Sequence, residues 1–162
     1  MMYDFRLYME NMMKRFILLP LFALSLAGGA GIAFAENQAA GDSRECVRNF
    51  KHEGSFFAGR TFKTTAFVKN VTQADAMKRA ARYIAQNGFQ INSSDQNLGI
   101  ISASQSVSYG QGKTVPLNVS FEQEKGGVQM DFSYSTSGGV TSPVDAVQNF
   151  FCSVVEAVEG KK

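Results

Sequence analysis

His52 is the first residue whose type could do chemistry, because it is the single histidine among the 162 residues. It stands beside Glu53 in a segment without clear periodicity. A zinc site needs three or four His, Cys or carboxylate ligands, and a histidine-dependent hydrolase needs a nucleophile presented on a strand–turn–helix elbow. The sequence shows neither pattern, so we interpret His52 as a surface histidine in a loop and expect no metal site.

Four carboxylates could supply an acid/base pair, namely Asp95, Glu122, Glu124 and Asp131. Glu122 and Glu124 stand two residues apart in a segment that alternates as a strand does, so they share one face of it. A solvated outer face explains this spacing equally well. Glycosidases also use paired carboxylates, but they usually hold sugars on aromatic platforms, and the sequence contains no tryptophan. We therefore expect no catalytic residues and a protein that is not an enzyme.

A fragment of a phosphate-binding loop occurs at Gly110–Thr114, which ends in Gly-Lys-Thr. The full motif also requires a glycine five residues before Gly112, where this chain has Val107. It must lead into a helix whose N-terminal amides bind the phosphate, whereas the β-like sequence Val-Pro-Leu follows here. The stretch therefore predicts a hairpin turn, and we expect no cofactor.

The two cysteines, Cys46 and Cys152, are far apart in the sequence and do not form a C-x-x-C redox motif. In an exported protein an even pair usually becomes a disulfide. Such a bond would tie the start of the domain to its last helix. The alternative is a free or catalytic thiol, but the pattern favours a structural disulfide.

Residues 1–35 contain the three parts of a cleavable export signal. Lys14-Arg15 forms a positive start, residues 16–34 carry no charge, and the small residues Ala33 and Ala35 close the segment. The translocon and the signal peptidase recognise this combination. The sequence therefore predicts an exported precursor.

The leader also predicts where the mature protein begins and resides. We expect translation from Met13 and cleavage between Ala35 and Glu36, which leaves a periplasmic or secreted protein without stable membrane insertion. The leader contains no cysteine, so no lipid anchor is expected. The alternative is an uncleaved anchor, because residues 16–35 are about long enough for a helix to span a bilayer.

Charge is nearly balanced from Glu36 onward, so the sequence does not indicate binding to nucleic acid or to anionic lipid. One local basic cluster consists of Lys78, Arg79 and Arg82 on a predicted helix. Asp75 lies at pairing distance along that helix from two of them, which is typical of a solvated face. The alternative is a face that binds a protein partner.

Hydrophobic periodicity predicts a single α+β domain at residues 61–160, after a flexible tail and irregular lead-in at residues 36–60. The expected elements are a strand at 61–69, a helix from Thr72 to Asn87, strands starting near Phe89, Ile100, Val115 and Val128, and a helix from Ser142 to Gly160. Strands joined by short turns form an antiparallel sheet, and two amphipathic helices must cover its apolar face. We expect a curved antiparallel sheet packed against two helices.

Both helices carry start signals. Thr72 can cap the first helix, with Asp75 in its first turn. Ser142 can cap the second, with Pro143 at the first helical position and Asp145 in the first turn.

Two phenylalanine doublets, Phe56-Phe57 and Phe150-Phe151, are unusual because neighbouring residues of a regular element cannot both point inward. The interpretation that we favour is that each member packs on a different part of the core, with Phe57 buried by the lead-in. The alternative is that some of this aromatic surface is exposed or lines a groove.

The stretch from Ala74 to Ala103 resembles the helix-grip unit of bacterial envelope proteins. A helix ends in Gly88-Phe89, a strand follows, Asp95 lies in a turn, and Gly99-Ile100 begins the next strand. This order is similar to that in the domains of the BamC family, lipoproteins of the outer-membrane barrel-assembly machine. The resemblance implies a helix-grip fold and a place in the cell envelope, and it assigns no functional residue.

These patterns together predict a non-enzymatic exported binding protein that contacts another cell-envelope protein. The alternative is a protein that binds a small apolar ligand in a pocket between helix and sheet. The expected mark of that alternative is a large apolar cavity near Met77, Ile84, Phe121 and Phe132.

Overall fold

The computed structural model describes residues 44–107 and 112–161. The predicted leader, its start at Met13 and its cleavage site between Ala35 and Glu36 lie outside these residues, as do the expected flexible tail and part of the Gly110–Thr114 turn. Thr114 begins a strand rather than a helix, which fits the hairpin interpretation of that turn.

The described chain contains three helices and six strands in an α+β arrangement. In chain order the elements are α1 (Glu45–Arg48), β1 (Lys51–Ser55), β2 (Gly59–Lys69), α2 (Gln73–Gln86), β3 (Gln90–Asp95), β4 (Ile100–Ser106), β5 (Thr114–Glu124), β6 (Gly127–Thr136) and α3 (Val144–Glu159). The strands form one antiparallel sheet in the order β1-β2-β6-β5-β4-β3. The consecutive strands β3 to β6 are the expected meander, and the β1–β2 hairpin joins it beside β6.

The helices α2 and α3 pack on one face of the sheet, which gives the helix-grip arrangement expected from the sequence. The apolar positions of β2, β5 and β6 alternate with exposed ones, because successive side chains of a strand point to opposite faces. The inward positions and the helix stripes form one core, whose largest fully buried side chains include Phe62, Phe151, Ile84, Ile101 and Leu117. The predicted fold class is confirmed.

Helix α2 begins where the sequence predicts, because Thr72 caps it. The Thr72 hydroxyl accepts a hydrogen bond from the Asp75 backbone N–H at 3.2 Å and donates one to the Asp75 carboxylate at 2.9 Å. Helix α2 ends at Gln86, followed by Gly88 in a left-handed conformation with φ of 85°. Its buried residues are Ala76, Met77, Ala80 and Ile84.

The start of α3 differs from the prediction. Pro143 occupies the N-cap position rather than the first helical position, and it makes no side-chain capping bond. Ser142 does not cap the helix, because its buried hydroxyl is hydrogen-bonded to the Tyr134 hydroxyl at 3.1 Å. The local sequence pattern assigns the Ser142 side chain to capping of α3, but in the structure this side chain makes a tertiary contact instead.

The lead-in is more regular than the sequence suggested. The segment expected to be irregular contains α1 and β1, and β1 pairs with β2 from Lys51↔Lys63 to Ser55↔Gly59. All five residues of β1 are exposed, so the strand has no alternation of buried and exposed positions from which it could be recognised.

The Cys46–Cys152 disulfide joins α1 to α3, with the two Cα atoms 5.4 Å apart, and the predicted pairing is confirmed. Further contacts hold α1 in place around the bond. The buried Thr64 hydroxyl donates to the Cys46 carbonyl oxygen at 2.8 Å, and the Glu45 carboxylate accepts from the Phe67 backbone N–H at 2.9 Å. Helix α1 is therefore fixed both to α3 and to β2.

Candidate functional site

An aromatic groove opens where the first residues of α3 meet the end of β6 and the end of α2. Its volume is about 240 Å³. Its apolar lining comes from Phe89, Tyr134, Pro143, Ala146, Val147 and Phe150, and its polar lining from Asn87, Gln105, Thr141 and Ser142. We call these ten residues the aromatic groove.

Packed aromatic rings form one wall of the groove. The rings of Phe89 and Phe150 are stacked with centroids 5.0 Å apart and an interplanar angle of 18°. Tyr134 meets Phe89 edge-on at 6.4 Å, and the Tyr134 hydroxyl is bonded to Ser142. Phe89 and Tyr134 are buried, while Phe150 is half-buried. Phe150 is therefore the ring of this wall that is most exposed to solvent. Such a wall can hold a flat or branched apolar group by dispersion and ring stacking.

The doublet Phe56-Phe57 lies at the tip of the β1–β2 hairpin. Phe57 is 87% exposed and Phe56 is 44% exposed, and their rings meet edge-on at 5.4 Å. The expectation that the lead-in buries Phe57 is therefore wrong. The two members of the other doublet have different environments. Phe151 is fully buried in the core, and Phe150 lines the groove.

One hydrogen bond joins the hairpin tip to the loop after β6, and a second lies within the hairpin. The Gly139 N–H donates to the Phe56 carbonyl oxygen at 2.8 Å, and the Ala58 N–H donates to the Ser55 hydroxyl at 3.2 Å. Gly59 has a φ of 93°, and a Cβ there would lie 2.2 Å from the Thr136 carbonyl oxygen. Only glycine fits this close approach between the start of β2 and the end of β6.

Hairpin tip and groove lie at the same end of the sheet. Arg60 at the start of β2 pairs with Thr136 at the end of β6, and the chain then runs through residues 137–140 to Thr141, which lines the groove. We define the aromatic end as the tip Phe56–Ala58, the loop 137–140 and the aromatic groove. The other exposed turn with a large apolar residue, Leu98 between β3 and β4, is at the opposite end.

None of the four residues expected to surround an apolar ligand lines the aromatic groove; Phe132 instead borders a trough on the sheet, and Met77 borders a surface pocket beside α2. Met77, Ile84, Phe121 and Phe132 are each buried in the core cluster, and the aromatic groove opens elsewhere. Groove residues Phe89 and Tyr134 were not picked out as ligand contacts from the sequence. Two local signals point toward the site: the Gly88-Phe89 helix end, and the Phe150-Phe151 doublet, for which lining a groove is the alternative interpretation.

The basic cluster on α2 is only partly free for a partner. Lys78, Arg79 and Arg82 are all exposed, but an Arg79 guanidinium N–H donates to the Val158 carbonyl oxygen of α3 at 2.7 Å. The Asp75 carboxylate, expected to pair with this cluster, accepts from Thr72 instead. A partner-binding role for Lys78, Arg79 and Arg82 stays a prediction.

His52 is exposed and lies in β1 rather than in a loop. Its ring is 6.1 Å from that of Phe62 and 6.3 Å from that of Phe50. Within residues 44–107 and 112–161, no three His, Cys, Asp or Glu side chains are grouped so that they could hold a metal ion.

The candidate carboxylates lie on the outer part of the molecule. Asp131 is opposite Thr65 on one side and Ser120 on the other, in a shallow trough on the face of the sheet that the helices leave open. Partial burial there raises the pKa of the Asp131 carboxyl, and the charge of Glu122 adds to the rise. Asp95 instead closes the β3–β4 turn by accepting from the N–H groups of Asn97 and Leu98.

In the part of the chain that the structure describes, no helix is long and apolar enough to cross a membrane.

No family model matches the sequence, and no curated protein matches it. Two solved structures show a distant likeness. Ara h 8.0201 is 15% identical with a TM-score of 0.39, and the match covers 64% of this chain and 97% of that one. CalU16 from Micromonospora echinospora is 9% identical with a TM-score of 0.41, and the match covers 69% and 96% of the two chains.

At such low TM-scores, the class of the protein is defined by its own architecture. It is an α+β helix-grip domain, because one curved antiparallel sheet packs its apolar face against α2 and α3. The helix-grip part of the resemblance to envelope proteins is thus confirmed at the level of the fold. The link to the barrel-assembly lipoprotein stays a prediction.

Proposed function

We propose that this chain is an exported, non-catalytic binding protein that contacts another protein of the cell envelope through its aromatic end. The observation that carries the proposal is the exposure of Phe57, at 87%, on a hairpin tip that is hydrogen-bonded to the loop after β6. A large aromatic side chain presented to solvent on a rigid support loses little conformational entropy when a partner covers it. Exposed aromatic residues of this kind are typical of interaction surfaces.

The aromatic groove supports the same proposal. Its volume of about 240 Å³ lies below the range of roughly 300–1,000 Å³ that is usual for small-molecule pockets. It suits one apolar side chain of a partner, with Asn87, Gln105 and Thr141 supplying a polar rim. Apolar centres with polar rims are the common plan of protein–protein contacts.

Export is supported by the disulfide and by the predicted leader. Structural disulfides persist in oxidising compartments outside the cytoplasm, and Cys46–Cys152 is of that kind. The test is the intact mass of the protein recovered from cell fractions. We expect a chain beginning at Glu36, two hydrogens lighter than its reduced form and without lipid. A full-length chain in the cytoplasmic fraction would contradict export.

The partner contact can be tested by photo-cross-linking in cells that produce the full chain. A benzophenone amino acid replaces Phe57 in one variant and Leu98 in a matched control, since both side chains are exposed and apolar but lie at opposite ends of the sheet. We expect a discrete adduct with another envelope protein from position 57 and a much weaker one from position 98. No adduct at position 57 except one between two copies of this chain would contradict the proposal.

A second candidate function is the binding of a small apolar molecule, and the Phe89–Phe150 stack favours it. A small flat aromatic compound would fit between this stack and the first turn of α3. We use indole as the probe and follow the backbone amide signals by NMR. Binding in the groove should shift the signals of Phe89, Ala146 and Phe150 selectively.

The variant Ala146→Trp tests this second candidate, because Ala146 is an exposed residue of α3 that lines the groove. The new side chain should fill the groove and abolish the indole shifts. Ala85→Trp is the control, since Ala85 is an exposed alanine of α2 that does not line the groove. Uniform or absent shifts in the unaltered protein would exclude the ligand candidate and leave the partner proposal untouched.

A further inference from the structure

The two edge strands of the sheet differ in how readily a further strand could pair with them. The strand order places β1 at one edge and β3 at the other. The ladder of β3 is interrupted by a shift between Ile91 and Ser93, and such bulges discourage the addition of another strand. The ladder of β1 has five consecutive pairs without a shift, and in the described part of the chain its outer side meets no other strand.

The charges of β1 are arranged in a self-complementary way. His52 is opposite the buried Phe62, so His52 lies on the core side of the sheet and its neighbours Lys51 and Glu53 lie on the outer face. Charges of one sign would keep a second strand away. Lys51 and Glu53 have opposite signs and are two residues apart, so an antiparallel copy of the same strand can match both.

We propose that β1 pairs antiparallel with β1 of a second copy of this chain, in a register centred on His52. In that register Lys51 of each copy is directly opposite Glu53 of the other, and the two sheets form one continuous sheet across a twofold axis. A register centred on Glu53 would place glutamate against glutamate, and one centred on Lys51 would place lysine against lysine. The charges therefore select the register centred on His52.

The second copy would also compensate a repulsion between two lysines within the hairpin. Lys51 and Lys63 are direct cross-strand neighbours on the outer face, and like charges in such positions are destabilising. Glu53 of the second copy would flank Lys51 on its other side. Strand β1 ends at Ser55, before the tip Phe56–Ala58, and it contributes no lining to the aromatic groove, so this pairing uses none of the residues of the aromatic end.

Charge exchange tests the pairing, using the protein recovered after expression of the full chain. Sedimentation is measured over a range of concentrations for the unaltered protein, Lys51→Glu, Glu53→Lys, and an equimolar mixture of the two variants. Each single variant places like charges opposite each other at two symmetric positions. We expect its dimer to dissociate at a concentration about tenfold or more higher.

The mixture is the decisive sample, because a Lys51→Glu chain and a Glu53→Lys chain are complementary at every position of the proposed register. We expect dimers to return in the mixture and in the double variant K51E/E53K. Lys125→Glu, an exposed residue in the β5–β6 turn, is the control and should dimerise normally. Circular dichroism checks that each variant is folded.

Three results would overturn the pairing. They are a monomeric unaltered protein at every soluble concentration, dimers that both single variants retain, and single-variant monomers that do not associate when mixed. None of these results bears on the contact made by Phe57, so the two proposals fail separately.

Discussion

At the residue scale, the environment of Asp131 on the open face of the sheet disfavours its ionised form. Its neighbours across the strands are Thr65 and Ser120, and neither carries a charge that could compensate the carboxylate. Partial burial and the nearby Glu122 both disfavour the ionised form, so the pKa of Asp131 lies above its ordinary value of 3.8. The folded protein therefore binds a proton at Asp131 more readily than the unfolded chain does.

The consequence for stability has a definite sign. At a pH below the ordinary value of 3.8 the carboxyl is protonated in both states and has no effect. As pH rises through that value and past the raised one, ionisation costs the folded state more. We expect Asp131→Asn to have a higher free energy of unfolding than the unaltered protein near neutral pH, and the two to converge in acid.

Urea unfolding across this pH range measures the effect. Glu122→Gln is the matched variant, because it removes only the smaller cause and leaves the burial of Asp131 in place. It should give a smaller change of the same sign. An Asp131→Asn protein that is less stable at neutral pH than in acid, relative to the unaltered protein, would contradict the assignment.

At the scale of the elements, Arg79 connects the two packed helices. Its guanidinium donates to the Val158 carbonyl oxygen, one of the last carbonyls of α3, which have no partner within the helix. A positive charge there also interacts favourably with the helix dipole. Arg79 thus has a structural role that its neighbour Arg82 on the same exposed face is not seen to share.

We expect Arg79→Ala to lower the free energy of unfolding by about 1 kcal/mol, and Arg82→Ala to change it by less than about 0.5 kcal/mol. Chemical denaturation of the two variants makes the comparison. If Lys78, Arg79 and Arg82 also form a partner face, Arg82→Ala should weaken partner binding without affecting stability. Equal losses of stability in both variants would contradict the structural role of Arg79.

The elements that were predictable from sequence are those whose signals are local. Helix α2 has its cap at Thr72 and a stop at Gly88, and strands β5 and β6 alternate cleanly. Strand β1 could not be predicted, because it is exposed on both faces and is defined only by its pairing with β2. The start of α3 differs from the predicted one because Ser142 bonds to Tyr134, a residue of another element.

The candidate site was less predictable than the fold for the same reason. Phe89 and Phe150 become one stacked pair only when α2 and α3 pack together. The doublet Phe56-Phe57 carries no periodic signal, so its exposure depends on the hairpin that presents it. Cysteine pairing was the exception, since two cysteines allow a single intramolecular disulfide.

At the scale of the whole molecule, the disulfide closes a loop that contains nearly all of the described chain. Cys46 and Cys152 are 106 residues apart in sequence. In the loop-entropy model, a cross-link over about 100 residues stabilises the folded state by roughly 4–5 kcal/mol. The bond also keeps α1 against α3, so its loss should affect the lead-in before the core.

We expect the double variant C46A/C152A to lose about 2–5 kcal/mol of unfolding free energy. Hydrogen exchange should show faster opening of α1 and β1 than of β5 and β6, whose ladders lie inside the sheet. Reduction of the unaltered protein with a thiol is the control and should reproduce both effects. A variant that keeps full stability would show that the disulfide is dispensable.

The most direct test of the central claim is to compare how Phe57→Ala and Leu98→Ala bind the envelope protein that cross-links to position 57. Both substitutions remove an exposed apolar side chain and should leave the fold intact. We expect Phe57→Ala to weaken binding by roughly tenfold or more, as is usual for an aromatic anchor at the centre of an interface, and Leu98→Ala to leave it unchanged. Unchanged binding by Phe57→Ala, or equal losses in the two variants, would contradict the claim that the aromatic end is the binding surface.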